Sequence, residues 1–427
     1  MSARIAVIGT GYVGLSTGVC MAHLGHDVVC VDIDPSKVER LGRGEPTIVE
    51  HRLEELLREG LDSGRLRFTT NAAEAVTGRP MVFMCVQTPQ SDDGSADMTF
   101  LKAALAGIGP HLQAGAVVIN KSTVPVGTCR LSQQWLGRSD VHVASNPEFL
   151  REGTALDDFL APDRVVVGCD DRAAALAVAD LYAALGTKTV ITNPETSETI
   201  KYAANAFLAM KLSFINDIAA LCEAVGADVR DVSNGMGYDH RIGLDFLRPG
   251  PGWGGSCFPK DSRALVHIAE EAGHPFPLMQ AVIDSNERQY DRMARKVRDS
   301  AGGSLHGVTV GVWGLTFKAG TDDLRHSPSL EIVRRLVDAG ANVQAFDPTV
   351  SAPHPFIPSG VTLCPSAVEA AKGAAVLAVF TEWPEFTRVK PDDVASVMPG
   401  REVVDGRNLL DRAVWTSAGF SHHGIGR

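Results

Sequence analysis

The chain has 427 residues, enough for two or three domains at about 150 residues each. Hydrophobic residues make up 44% and charged residues 21%, a globular balance that excludes a disordered or low-complexity chain. Asp and Glu outnumber Lys and Arg by 51 to 40, and the net charge of -11 disfavours nucleic acid and anionic membranes as partners.

From the start, β-branched runs alternate with helix-like segments. Strands are expected at Arg4–Ile8, Val28–Asp32, Met81–Val86, Ala116–Asn120, Val141–Ser145 and Arg164–Val167, with helices such as Leu53–Asp62 and Phe100–Leu112 between them. Continuous apolar strands imply a parallel sheet covered on both faces, so residues 1–193 read as a doubly wound Rossmann-like α/β domain. From Glu195 to Val225 there is no Gly or Pro, and Gly226 can cap the end. That spacing predicts a helix of about 30 residues, some 45 Å long. It is apolar enough to be buried between domains or subunits, and it opens a helical middle domain, 194–303. The strand–helix pattern restarts over 304–427. Gly307–Leu315 and Asn342–Phe346 are strands around a helix that starts at Ser327-Pro328 and stops at Gly340. Asp347-Pro348 then echoes Asp34-Pro35 of the first domain without needing the same role. Pro348–Gly360 is a loop, and Phe420–Arg427 is expected to be poorly ordered.

MSARIAVIG enters a strand without a signal segment, and no apolar run reaches membrane-span length, so a cytoplasmic chain is expected. The eight cysteines form no C-x-x-C pair, and neither a metal site nor a disulfide framework is expected. Seven read as small buried hydrophobes.

Gly9-Thr10-Gly11-Tyr12-Val13-Gly14 follows a strand and opens a helix, the context in which G-x-G-x-x-G binds a dinucleotide pyrophosphate. Asp32 ends the next strand, where a carboxylate suits a ribose 2′-hydroxyl and repels a 2′-phosphate, favouring NAD over NADP. The eighth cysteine, Cys257, lies in Gly254-Gly255-Ser256-Cys257-Phe258-Pro259-Lys260-Asp261, a glycine-rich loop running into a helix start. Peptide dipoles at a helix N-terminus stabilise a thiolate, so Cys257 reads as a nucleophile. Asp261, in the first turn, can orient a water or a cation. Asn146-Pro147-Glu148-Phe149-Leu150-Arg151-Glu152-Gly153 follows a strand end, where doubly wound sheets place ligands. Lys201 and Asn205, four apart on the long helix, share a face that could present an ammonium and an amide to one oxygen. A lysine considered alone, however, is most simply a solvated one.

These segments carry a resemblance. GTGYVGL, CVQTP, KSTVPVGT, NPEFLREGTALDDFLAPDRVVVG, ETIKYAANAFLAMKLSFINDIAALCE, RIGLDFLRPGPGWGGSCFPKD and FKAGTDDLRHSPS, with VVDGRNLLD later, span nearly the whole chain. The sequence resembles the UDP-glucose/GDP-mannose dehydrogenase family, and within it most of all the UDP-glucose 6-dehydrogenase branch. The resemblance implies oxidation of UDP-glucose to UDP-glucuronate, a polysaccharide precursor, with two NAD and a thiohemiacetal and thioester on Cys257. It implies that Lys201 and Asn205 stabilise the oxyanion, that Asp261 holds Lys201 and a water with help from Thr123, and that Glu148 is the base for hydrolysis. Lys37 joins Asp32 at the adenosine ribose. Val86–Gln90, including Thr88, and Ser122–Val124 fall on the nicotinamide side, and Glu152 and Arg325 on further NAD contacts. Phe149, Leu150, Phe246, Arg248, Gly252, Phe317, Lys318 and Arg407 match nucleotide-sugar positions. Arg241 matches an arginine supplied by a neighbouring subunit, which implies a homodimer built through the central helix. GDP-mannose or TDP-glucose would be served by the same catalytic set, and a reading of another class is a non-catalytic NAD-binding regulatory module. Three departures stand out. Val49-Glu50-His51-Arg52 replaces a Tyr-Glu-Pro-Gly-like stretch, Trp253 stands where Tyr or Phe is more usual, and Pro249-Gly250-Pro251 is stiffer than the usual loop.

Overall fold

Apolar runs of three to five residues, rich in Val and Ile, are too short for helices and pair into two sheets. The computed structural model describes residues 2–91 and 94–427. It divides into two units. One runs to Ala204 and takes in His267–Gly273; the other holds Asn205–Val266 and His274–Arg427.

In the first unit the strands are β1 (Arg4–Ile8), β2 (Asp27–Val31), β3 (Leu66–Thr69), β4 (Met81–Met84), β5 (Val117–Asn120), β6 (His142–Ser145), β7 (Val165–Gly168) and β8 (Thr189–Thr192). Among the described residues their order is β3-β2-β1-β4-β5-β6-β7-β8. The pairs are parallel except β6–β7, which meet antiparallel at Ser145 and Gly168. Alternate residues feed two cores: Ile5, Val7 and Phe83 pack on one face with Leu15 and Val19, while Ala6, Ile8 and Val82 pack on the other with Leu101 and Leu105. This is the doubly wound α/β fold expected from the runs. Two strands at the sheet edges, β3 and β8, lie outside the apolar runs read from sequence. The expected helix Phe100–Leu112 is a helix Thr99–Ile108 followed by a 3-10 turn Gly109–His111, because Pro110 has no N–H to continue the α ladder.

The second unit carries β9 (Thr309–Trp313), β10 (Asn342–Phe346), β11 (Val361–Leu363), β12 (Val376–Val379), β13 (Glu402–Asp405) and β14 (Ser421–His423). Their order, β11-β10-β9-β12-β13-β14, repeats the same winding, and each pair is parallel. The expectation of a loose tail is corrected. Phe420 and Ile425 are buried, β14 pairs with β13, and the Gly426 N–H donates to Glu223 at 2.7 Å. Val229 N–H in turn donates to Gly426 O at 2.9 Å. The small residues of the tail let it lie close to the helical segment, which composition alone reads as disorder.

The long helix spans Pro194–Val225, 32 residues, and ends at Gly226 with φ +77, a left-handed cap that glycine adopts without strain. Ala206, Ala209, Ile215, Ala219 and Cys222 are buried on it, whereas Phe207, Phe214 and Leu221 are 58%, 48% and 55% exposed. These three recur every seven residues and form an apolar stripe facing outward. Among the described residues no helix is long and apolar enough to cross a membrane.

Candidate active site

In the first unit the chain winds outward in both directions from β1 and β4, and ligands bind at such a switch point. The glycine loop sits there. A Cβ on Gly9 would lie 2.7 Å from Cys85 O and one on Gly14 1.9 Å from Gly9 O, so both positions exclude side chains. Gly11 is different: a Cβ there meets nothing within 4 Å. It is the N-cap of helix Tyr12–His23 with no side-chain cap, so open space adjoins helix N–H groups at that end. Past β2, Asp32 Oδ2 accepts from Thr10 Oγ1 at 2.5 Å and Thr10 N at 3.1 Å, and Lys37 Nζ stands 4.0 Å away. Burial pushes the Asp32 carboxyl up, but the Thr10 hydroxyl, the Asp34 and Thr10 N–H groups and Lys37 outweigh it and hold it below its ordinary value. An open helix end beside a fixed carboxylate fits NAD. The ends of β4 and β5 are tied together beside it: Thr88 Oγ1 donates to Thr123 O at 2.9 Å and Ser122 Oγ to Val86 O at 2.5 Å.

Glu148 and Lys201 meet in the same unit, with Nζ 2.9 Å from Oε1 and both side chains 4% exposed. Lys201 is therefore not the solvated lysine its sequence alone suggests. Burial raises the Glu148 carboxyl, yet Lys201, the Leu150 N–H and Lys121 more than offset it, so Glu148 is held below the usual carboxylate range. Phe149 carries the Arg164 guanidinium 3.5 Å above its ring and lies 5.4 Å from the Lys201 ammonium.

In the second unit, Cys257 immediately precedes helix Phe258–Glu271, and its carbonyl accepts the first helical bond from Asp261 N at 2.8 Å. It thus occupies the N-cap, as expected, and it is partly exposed, while six other cysteines are buried. Cys364 joins it as partly exposed, against the expectation of seven buried thiols; it lies beyond the end of the edge strand β11, which has less to cover it. Burial pushes the Cys85 thiol up to about 12, leaving it inert. The Cys257 loop is pinned by its glycines. A Cβ on Gly254 would lie 2.0 Å from His326 O, and one on Gly255 2.9 Å from the Phe317 ring. Asn205 Nδ2 donates to Asp261 Oδ2 at 2.6 Å and Lys260 Nζ to Oδ1 at 2.8 Å, so Asp261 aims the amide of Asn205.

Phe317 and Lys318 follow β9 at the switch point of the second sheet, between β9 and β12. Arg407, beyond β13, donates to Phe380 O at 2.8 Å and Phe317 O at 3.2 Å, which brings it to the same place. Gly252 has φ +136 and a Cβ on it would strike Tyr290 at 2.4 Å. Phe246, with φ 62, lies 6.3 Å from Phe258, and Arg248 is exposed. Arg325 pairs with Asp323 at 2.8 Å and Arg241 with Asp239 at 2.6 Å in an exposed turn. Trp253, set apart in the sequence as a departure, is buried and donates from Nε1 to Ser213 at 2.8 Å, so it serves the helical core.

Three residues of this neighbourhood escaped sequence reasoning. Glu50 accepts from Tyr12, from Gly153 N at 2.8 Å and from Ala155 N at 3.0 Å, capping helix Ala155–Leu160 beside Glu152. Retention of its Glu within the divergent 49–52 stretch was the available signal. Glu198 accepts from Gly127 N at 2.6 Å and Cys129 N at 2.8 Å, tying the segment after Thr123 to the long helix; burial pushes its carboxyl up to about 7. Lys121 is 4% exposed; it opens the KSTVPVGT stretch, of which only Ser122–Val124 were read as site residues.

Comparison with known proteins agrees along the whole chain. Residues 3–186, 195–288 and 311–412 match three family models, those of the NAD binding, central and UDP binding domains of the UDP-glucose/GDP-mannose dehydrogenase family. A UDP-glucose 6-dehydrogenase of Rhizobium meliloti (strain 1021) is 45% identical over 99% of both chains. The UDP-glucose 6-dehydrogenase TuaD of Bacillus subtilis (strain 168) is 43% identical over 99% of this chain and 93% of its own. The solved structure of a UDP-glucose dehydrogenase from Pyrobaculum islandicum has a TM-score of 0.90 at 38% identity, covering 97% of this chain and 98% of that one.

Proposed function

The chain belongs to the UDP-glucose/GDP-mannose dehydrogenase family, and from that premise we propose that it oxidises the C6 alcohol of UDP-glucose to the carboxylate of UDP-glucuronate. Two NAD and one water are consumed for each sugar. We read 1–193 as the NAD-binding domain, 194–303 as the helical dimerisation domain and 304–427 as the nucleotide-sugar domain. Gly9, Gly11, Tyr12, Val13 and Gly14, Asp32 and Lys37, with Thr88, Thr123, Glu152 and Arg325, would hold NAD, which when bound would supply the hydride acceptor for each of the two oxidations.

The remaining work falls to the chain's own groups. Lys201 and Asn205, one turn apart on one helix, stabilise the oxygen that gains charge as each bond to it changes. Cys257 captures the aldehyde: a C–S bond forms, the carbonyl pair moves to oxygen, and the second oxidation leaves a thioester on sulfur. Glu148 then takes a proton from water, the hydroxide attacks the thioester carbon, and the C–S pair returns to Cys257 as thiolate. Asp261 fixes Asn205, and Thr123 helps hold the water. Phe149, Leu150, Phe246, Arg248, Gly252, Phe317, Lys318 and Arg407 hold the nucleotide sugar. The observation that carries the reading is Cys257 at a helix N-cap in a glycine loop packed on Phe317.

A panel of UDP-, GDP- and TDP-hexoses with NAD, followed by absorbance of the reduced cofactor, tests it. Two NADH per UDP-glucose are expected; no NADH with any hexose would reduce the chain to a cofactor-binding module. The exposed stripe Phe207, Phe214 and Leu221 supports a homodimer through the long helix, in which the exposed Arg241 would serve the neighbouring site. Sedimentation should then report a dimer, and Phe214→Glu should shift it to monomer. A cytoplasmic location fits the eight free thiols.

A further inference from the structure

Lys121 has no part in the chemistry above, yet it is buried beyond the end of β5. Its ammonium donates to Asn146 Oδ1 at 3.1 Å, an oxygen that also accepts from Tyr182 Oη at 2.6 Å. The Asn146 amide nitrogen is fixed in turn on Val166 O at 2.8 Å, so the acceptor cannot turn away. The Tyr182 and Phe159 rings lie 5.6 and 5.9 Å from the ammonium. This is a built cage for a cation, where a methionine would fill the space without the several kcal/mol that burying a charge costs. Something must compensate that charge, and Glu148, buried two residues beyond the Asn146 that Lys121 holds, is the carboxylate placed to do so.

The charged and titratable groups around the pair are Lys201 from the long helix, Arg164 before β7 and the thiol of Cys85 after β4. Burial pushes the Lys121 ammonium down to about 8, with Glu148 and Cys85 pulling it back up and Lys201 pushing it further down. Lys201 is committed to the substrate oxygen in the proposed reaction, and an ammonium engaged there is a weaker partner for Glu148.

We propose that Lys121 is a positioning residue for the reaction proposed above: a buried counter-charge that keeps Glu148 ionised while Lys201 serves the substrate. This rests on the reading of Glu148 as the hydrolytic base. The test follows the Glu148 carboxyl directly, by isotope-edited infrared difference spectra of the protein against Glu148→Gln across pH, beside the acidic limb of kcat. In Lys121→Met, Glu148 should protonate about one pH unit higher, and the acidic limb should move with it, a loss of about tenfold there with little change on the plateau. Lys121→Gln, which keeps a donor for Asn146, provides the same test if the methionine variant does not fold. Lys121→Arg should restore the original titration. An unmoved Glu148 titration in both neutral variants overturns the proposal, and so does an equal shift in Tyr182→Phe, which loosens the cage but keeps the charge. An infrared shift that the acidic limb does not follow leaves Lys121 holding Glu148 and removes Glu148 as the base.

Discussion

The two sheets wind in the same order and differ at the residue beyond the second strand of each. Asp32, past β2, is 11% exposed and bonds to Thr10, the neighbour of Gly11, which has nothing near its Cβ position. Asp347, past β10, is buried and saturated: its Oδ2 accepts from Leu315 N at 2.8 Å, Thr316 N at 3.0 Å, Thr316 Oγ1 at 3.0 Å and Trp383 Nε1 at 3.1 Å. Gly314, the counterpart of Gly9, would drive a Cβ into Thr381 at 2.3 Å. One fold position is thus left partly exposed beside the glycine loop in one sheet and made an internal strut in the other. What decides between them is whether a bulky donor such as Trp383 fills the space in front of the carboxylate.

The sharpest way to break the comparison is at the sheet edges. Deleting residues 421–427 removes β14 and its bonds to the helical segment, and should destabilise the second unit by more than about 4 kcal/mol in urea unfolding. Next comes Asp347→Ala, which removes the acceptor shared by four buried donors and should cost about 3 kcal/mol, read as a lowered Tm, with NAD affinity in the folded fraction unchanged. Asp32→Ala should do the reverse: about tenfold weaker NAD binding by calorimetry and little loss of stability. Because the folded Asp32 carboxyl is depressed, its bonds contribute above the unfolded value near pH 3.9 and are lost as pH falls through the lower folded value. The small gap between the melting curves of wild type and Asp32→Ala should therefore close below about pH 4. Smallest of all, Val190→Thr on the exposed edge strand β8 should change stability by no more than about 0.5 kcal/mol. If Asp347→Ala instead weakened NAD binding while leaving Tm alone, the two aspartates would not differ as described.

The parts of the fold that were legible are those written in consecutive residues. The apolar runs of β1, β4, β5 and β7, the glycine spacing before helix Tyr12–His23, the uninterrupted long helix and the Cys257 cap all depend on neighbours a few positions away. Lys121, Glu198 and Glu50 were illegible for the opposite reason. Glu50 meets Ala155 across 105 positions and Glu198 meets Cys129 across 69, and no local pattern marks a side chain for such a partner. The tail failed for the same cause, since its glycines signal disorder unless β13 and Glu223 are there to receive it.

That tail also sets a clock. Gly426 closes on Glu223 across 203 positions and Asn408 on Arg230 across 178, so the second unit completes its helical core with segments made long after it. At roughly 5–20 residues per second, synthesis leaves the helix bearing Glu223 waiting about 10–40 s for its closing segment. During that interval Ala219 and Val229, which enclose Gly426 in the finished unit, stand uncovered. The first unit, whose sheet ends at Thr192, has its strands in hand by then. Slow, late-closing contacts of this kind lower folding rates, and they make the nascent second unit the place where aggregation or chaperone dependence would enter.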